Sequence, residues 1–240
     1  MRWIFAEFLF VLETMILGIF VILFLWWKPF GAVDRIARFW ARSLFFLGGI
    51  QILRSPLARF PEGGPYMIMA NHRSYLDPPL LIAEAPYYLR FLTKRELFFI
   101  PIFGWALYLM GQIPIDRKRT EKAISSLQRA RNLLSISGIS ILAFPEGTRS
   151  RTDELLPFKK GAFVFAIENK LPILPLWIAG TRHLLPKGSW RLRKGSVTYV
   201  MGNPIPTEGL RYEDREKLME MVRKELLELR KEAENLLLRA

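Results

Sequence analysis

The chain has no cysteine, which excludes disulfides, thiolate metal ligands and a cysteine nucleophile and leaves the redox compartment open. Histidine is nearly as scarce, with only His72 and His183. A histidine-rich metal site is therefore excluded, no metal is expected, and any imidazole chemistry falls to one of that pair. Internal repeats and low-complexity tracts are also lacking. Acidic residues are few beside basic ones, 22 against 35, a formal net charge of +13. Yet 51% of the 240 residues are hydrophobic and 13% aromatic, so this is no disordered basic tail; the chain can build a core. Its length suits one large α/β domain with an appended element. The charge alone would also suit nucleic acid, but no recognised binding motif or basic–aromatic platform accompanies it, so nucleic acid is not expected as a partner.

Long apolar runs are confined to the amino-terminal end. Residues 3–27 are interrupted only by Glu7 and Glu13, and the uncharged part from Thr14 to Trp27 would make a helix of about 21 Å against a hydrocarbon core of ~30 Å. A cleaved signal peptide fits poorly, because the run is too long and no small-residue cleavage site follows it. Lys28, Pro29 and Gly31 break the helix, and a second apolar segment runs from about Asp34 to Leu53. At 100° per residue, its Arg35, Arg38 and Arg42 fall within a stripe roughly 60° wide. A basic stripe among aromatics suits an element in a headgroup interface, its arginines snorkelling to phosphates. Three arrangements fit: a hairpin packed on a soluble core, a spanning first helix with an interfacial second, or a hairpin dipped into one leaflet. The expected division is a two-helix membrane anchor over 1–60 and an α/β domain over 61–240.

Beyond the turn-rich Pro61–Pro65, short apolar runs read as strands: Tyr66–Ala70, Arg90–Thr93, Gln112–Ile115, Ile139–Phe144, Ile173–Ile178 and Ser196–Met201. Helices are predicted over Pro79–Ala85, Glu96–Met110, Glu121–Ser137 and Gly161–Asn169, with an amphipathic one over Glu213–Arg239. The alternation implies an α/β fold with a largely parallel or mixed central sheet, flanked by helices, and active residues at strand ends.

Four blocks carry possible chemistry. In Asn71–Pro78, His72 follows a strand and Asp77 stands five residues on. On a helix the two would lie about 140° apart; a bent loop before Pro78 lets them meet. Asp77 then either caps the next helix or fixes the tautomer of His72, freeing the other ring nitrogen to take a proton from a hydroxyl. Ser74 has no base of its own, so no acylated residue is expected. In Phe144–Ser150, Gly147 permits a turn exposing amides, and Arg149 offers the guanidinium fork that matches a phosphate. Glu146 suits a ligand that also presents a hydroxyl. In Gly111–Arg119, Arg117 at a strand end could join Arg149 on one phosphate. Leu171–Leu176, with prolines at both ends, reads as a stiff segment at a sheet edge or lining a channel. The apolar Phe98–Met110 stretch is either core or the wall of an acyl channel, and Lys187, Arg191, Arg193 and Lys194 are either a solvated hairpin or a donor-docking cluster.

In this order, H-x4-D, G-x-I-x-I-D-R, F-P-E-G-T-R-S and the proline-flanked block resemble the glycerolipid acyltransferase family, in particular its bacterial 1-acylglycerol-3-phosphate acyltransferases, over roughly residues 65–180. Pro114 departs from the aromatic residue common at its place. The resemblance implies a catalytic pair of His72 and Asp77, and an acceptor site drawn from Arg117, Glu146, Gly147, Thr148 and Arg149. It implies acyl transfer from a thioester of acyl carrier protein or coenzyme A to the sn-2 hydroxyl of lysophosphatidate, giving phosphatidate in phospholipid biosynthesis. Other acceptors of that chemistry are glycerol 3-phosphate or another lysophospholipid; a non-catalytic anionic-lipid binder is the remaining alternative. No cofactor is expected, the other partners are anionic membrane lipids, and the location is the cytoplasmic face of the cell membrane.

Overall fold

A computed structural model describes residues 2–24, 31–55, 58–115, 134, 138–152, 154–189 and 191–239. Two helices come first, α1 (Arg2–Phe24) and α2 (Ala32–Leu47). They are joined by polar ties as well as apolar packing: Trp40 Nε1 donates to Thr14 Oγ1 at 2.9 Å, and Ser43 donates to the Glu13 carboxylate at 2.6 Å. Glu13, an interruption in the apolar run, is thus spent on α2. Gly48 and Gly49 end α2, the latter at φ 63°, and β1 (Ile50–Leu53) follows where the second apolar segment was expected to continue unbroken.

The remaining elements are β2 (Met67–Ala70), α3 (Asp77–Glu84), β3 (Tyr88–Lys94), a 3-10 turn (Arg95–Phe99), α4 (Phe103–Leu109), β4 (Ile113–Ile115), β5 (Ile139–Ala143), α5 (Gly161–Glu168), β6 (Ile173–Ala179), α6 (Thr181–Leu184), β7 (Gly195–Met201) and α7 (Arg215–Leu238). Among the described residues, seven strands form one sheet in the order β1-β7-β6-β2-β5-β3-β4. Every pairing is parallel except β6 with β7, so the sheet is mixed. The segment to residue 60 contributes its edge strand β1, paired with β7, as well as the helix pair.

Alternation along β2 sends side chains to two cores. Ile68 and Ala70 pack with Phe45 of α2 and Leu80 and Leu81 of α3. Met67 and Met69 face Phe163 of α5 and Leu218, Val222 and Leu226 of α7. Helices therefore cover both faces, the three-layer arrangement a largely parallel sheet requires.

Three expectations are corrected. The helix expected over Glu96–Met110 is broken, because Pro101 disfavours helical geometry at Ile100; Ile102 then takes φ 64°, and α4 starts at Phe103. The proline-flanked segment is β6, inside the sheet rather than at its edge. Pro175 is tolerated there because it lies one residue beyond the β6–β7 ladder, which stops at Leu176, and its carbonyl accepts from Gly202. Two of the three stripe arginines do not snorkel: Arg38 and Arg42 donate to the carbonyls of Ala85 and Ala83 at 2.8 and 3.3 Å, satisfying the carboxyl-terminal end of α3. Asp34 pairs with the fully buried Arg90 through both oxygens, at 2.6 and 2.9 Å, fastening α2 to β3. Among the described residues, no helix is long and apolar enough to cross a membrane.

Candidate active site

The site forms at the carboxyl ends of the adjacent strands β2 and β5, and the end of β2 is tied to β6 by a clamp at Asn71. Its carboxamide accepts from the Ile178 amide at 2.7 Å and donates to the Ile178 carbonyl at 2.9 Å, extending the β2–β6 pairing past Ala70. His72 is therefore delivered at a strand end, and the chain bends through Arg73–Leu76 into α3.

Asp77 opens α3 yet makes no side-chain capping bond to it. Its fully buried carboxylate turns back instead: Oδ2 lies 2.9 Å from His72 Nδ1 and accepts the Arg73 and Ser74 amides at 2.7 and 2.8 Å. Oδ1 accepts the Thr181 hydroxyl at 2.6 Å. With two amides already donating to Oδ2, that oxygen acts as an acceptor, so Nδ1 carries the hydrogen and Nε2 holds the lone pair. Of the two roles open to Asp77, the geometry selects the imidazole. Phe144 stacks on the His72 ring with centroids 4.0 Å apart and planes 16° from parallel, fixing the ring's tilt.

The loop after β5 makes a tight turn, with the Gly147 amide on the Phe144 carbonyl at 2.9 Å and Gly147 at φ 68°. Its Glu146 faces inward: one carboxylate oxygen accepts the His72 amide at 2.8 Å and the other the Leu156 amide at 2.9 Å. Burial pushes the Glu146 carboxyl above its ordinary value, more than these two amides pull it down. The Ser150 amide donates to the His72 carbonyl at 2.8 Å, so the loop holds the His72 backbone from both sides. Thr148 and Arg149 face outward, and Arg149 Cζ lies 3.5 Å from the centroid of the Tyr75 ring, a cation–π contact. Arg149 Nη1 is buried with no hydrogen-bond partner among the described residues. The amides of His72, Arg73 and Ser74 are all committed to carboxylates.

His72, Thr148 and Arg149 line one cavity of about 530 Å³, within the usual range for a ligand site. From this polar mouth it runs between α1, α2 and α4, past Leu17, Trp40, Phe103, Leu107 and Met110. The sequence-predicted residues His72, Asp77, Glu146, Gly147, Thr148 and Arg149 are thus brought together, while Glu146 and Gly147 shape the loop rather than line the cavity. Arg117 lies outside the described residues, as does the helix expected over Glu121–Ser137 apart from Leu134. Sequence reasoning missed Thr181, whose place 104 positions from Asp77 no local spacing signals, and the stacking of Phe144 and Tyr75, both inside blocks already singled out.

Strand-end residues of a mixed α/β sheet, converging on a cavity with a carboxylate-oriented imidazole, define an enzyme site. A family model described as Acyltransferase matches residues 51–179, and the chain belongs to that family. Its relatives are specific. The 1-acyl-sn-glycerol-3-phosphate acyltransferase alpha of Ovis aries is 34% identical over 193 residues, 80% of this chain and 67% of that one. The 1-acyl-sn-glycerol-3-phosphate acyltransferase of Saccharomyces cerevisiae is 34% identical over 170 residues, covering 70% and 56%. The crystal structure of the 1-acyl-sn-glycerophosphate (LPA) acyltransferase PlsC from Thermotoga maritima superposes with a TM-score of 0.72 at 26% identity, covering 96% of this chain and 98% of that one.

Proposed function

We propose that this acyltransferase moves an acyl chain from a thioester to the sn-2 hydroxyl of 1-acyl-sn-glycerol 3-phosphate, giving phosphatidate. The observation that carries the reading is the shared cavity: the His72 ring and the Arg149 guanidinium line the same space. An acceptor held by its phosphate at Arg149 presents its glycerol hydroxyls toward the imidazole. The relatives' names point to the same acceptor.

His72 Nε2 removes the hydroxyl proton as the oxygen attacks the thioester carbonyl, and Asp77 stabilises the imidazolium through Nδ1–H. Collapse of the tetrahedral intermediate expels the thiolate of acyl carrier protein or coenzyme A, which takes the proton from Nε2. The four bonds at Asp77 hold the imidazole in one tautomer and orientation before substrate arrives. Arg149, with a buried donor that has no partner among the described residues, gains a charge-assisted bond when the phosphate binds; Arg117 is proposed to join it. The apolar arm of the cavity accepts an acyl chain, and the Phe103–Met110 face serves as its wall.

The enzyme meets its lipids on a membrane surface. On α1, Val11, Ile16, Phe20 and Leu23 are exposed, and Trp105 and Tyr108 of α4 are 60% and 74% exposed. Since α1 packs on α4, these side chains belong to neighbouring elements, and an apolar surface with an aromatic margin suits insertion into one leaflet. We place this leaflet at the cytoplasmic face of the cell membrane, the side offering a water-soluble thioester.

The test is phosphatidate formation from labelled acyl-acyl carrier protein or acyl-coenzyme A and lysophosphatidate. His72→Ala is expected to lose about 10² to 10⁴ of the rate, the usual range for a general base; near-normal turnover would refute the mechanism. Glycerol 3-phosphate or a zwitterionic lysophospholipid preferred over lysophosphatidate would overturn the acceptor assignment.

A further inference from the structure

The residue beside Arg149 that the acyl-transfer reading leaves unused is Lys187. It sits on the turn after α6, closed by the Ser189 amide on the Pro186 carbonyl at 3.0 Å, with Gly188 at φ 93° in the position where such a turn needs a positive angle. This turn is built onto the site. Ser74 forms an isolated bridge with Pro186, its hydroxyl donates to the Leu185 carbonyl at 2.7 Å, and α6 carries Thr181, the partner of Asp77.

Lys187 Nζ donates to the Arg149 carbonyl at 2.8 Å and to Thr148 Oγ1 at 3.3 Å. An ammonium has three donors and no acceptor, so two are spent here and the third has no partner among the described residues. The contact with Thr148 matters for the hydroxyl as well. Because its oxygen accepts from an ammonium, its own hydrogen must point elsewhere, and Thr148 is exposed at the cavity mouth. Three donors from three residues are thereby gathered at one place: the buried Nη1 of Arg149, the Thr148 hydroxyl and the remaining N–H of Lys187. Glu146, the acidic residue of the same loop, has both oxygens turned inward to backbone amides. A cluster of donors whose free N–H and O–H groups meet no acceptor among the described residues fits a dianionic tetrahedral group.

We propose that Lys187 completes a phosphate seat with Thr148 and Arg149, contributing its charge directly and directing the Thr148 hydroxyl as a donor. The inference deepens the acyl-transfer reading and rests on it. The ligand is a phosphate ester; it is carried by the acceptor as a headgroup or by the donor in its pantetheine or nucleotide portion, and the shared cavity with His72 favours the acceptor.

The experiment compares wild type with Lys187→Met, Lys187→Arg, Thr148→Val and the Lys187→Met/Thr148→Val double variant, measuring kcat and KM separately for lysophosphatidate and thioester. Expected is a rise of about tenfold or more in the KM for lysophosphatidate in Lys187→Met, the scale of one lost charge-assisted bond. The expected kcat stays within about twofold, and Lys187→Arg recovers most of the loss. The double variant should be less impaired than the product of the single effects, since the two groups act on one oxygen. A rise confined to the thioester KM would keep the phosphate seat and move it to the donor. Unchanged KM values for both substrates, or a loss that arginine does not rescue, would overturn the proposal and leave Lys187 a strut for the Arg149 backbone. A readout independent of turnover separates failure of the seat from failure of the acyl-transfer reading. Glycerol 3-phosphate should raise the melting temperature of wild type and not of Lys187→Met; an equal rise in both would also overturn the seat, whatever acceptor the enzyme proves to use.

Discussion

Asp77→Asn separates the two jobs the Asp77 carboxylate performs. Oδ2 accepts from His72 Nδ1, the Arg73 amide and the Ser74 amide, whereas Oδ1 accepts from the Thr181 hydroxyl. An asparagine facing these partners has one sound orientation. Its oxygen must occupy the Oδ2 position, because an NH2 group there would confront two backbone donors and an imidazole N–H. The NH2 group then meets Thr181, whose hydroxyl rotates to accept. Geometry and tautomer survive; only the charge is lost. A hydrogen bond to a charged group contributes about 1.5–3 kcal/mol against roughly 1 for a neutral one. The bond at stake strengthens as the imidazole becomes imidazolium, so losing its charged character while keeping a neutral bond costs the difference, about 0.5–2 kcal/mol in the transition state.

At about 1.4 kcal/mol per decade, Asp77→Asn should lower kcat by roughly 2- to 30-fold, with KM for lysophosphatidate little changed. Asp77→Ala leaves two buried amides unsatisfied, at about 1–3 kcal/mol each, and frees the ring; it should fall to the level of His72→Ala and melt lower. Initial rates with labelled thioester and thermal melting in detergent measure both. Combining Asp77→Asn with Thr181→Val removes the acceptor for the new NH2 group and should deepen the loss. The reasoning fails if Asp77→Asn is as inactive as His72→Ala while retaining wild-type stability, or if it keeps the full rate.

Two further outcomes follow from the site and its surroundings. The folded-state pKa of the Glu146 carboxyl is raised by burial, so the folded protein holds that proton more tightly than the unfolded chain. Its contribution to stability is fully present below the ordinary value of 4.5 and is lost as pH rises through the raised value. The melting-temperature difference between wild type and Glu146→Gln should therefore move in favour of the glutamine variant as pH increases across that window, and a pH-independent difference would refute the assignment. Replacing Trp105 and Tyr108 together by serine should weaken sedimentation with anionic liposomes severalfold while leaving turnover of a detergent-dispersed substrate within about twofold; unchanged sedimentation would remove α4 from the membrane surface.

The sheet was legible because its strands are short apolar runs bounded by turn residues, and Ile139–Phe144 and Ser196–Met201 agree with β5 and β7 to one residue at each end. Elements failed to show where the apolar pattern ran on without a change of period. β1 continues the hydrophobicity of α2, and only Gly48-Gly49 marks the joint. The helix over Glu96–Met110 kept its apolar texture across the break at Pro101. Gly104 belongs to the same break: a Cβ there would collide with the Phe98 carbonyl oxygen, a close approach set by the fold of that one turn.

The site divides along a similar line. His72, Asp77 and Arg149 lie in short blocks whose residue types announce their chemistry. What holds them does not: Thr181 reaches Asp77 across 104 positions, and Ser74 reaches Leu185 across 111. Glu146 shows how type and role part company. A carboxylate beside an arginine suggests a group for the substrate hydroxyl, yet its oxygens bind the His72 and Leu156 amides. Two partly buried N–H groups at the junction of two loops need an acceptor with two oxygens, and a glutamate can supply both at once. The same need explains the arginines of α2. The carboxyl-terminal carbonyls of α3 lie against that helix, and Arg38 and Arg42 satisfy Ala85 and Ala83. A basic stripe that reads as membrane-facing from its own helix therefore fastens the amino-terminal helix pair to the helix that begins with Asp77.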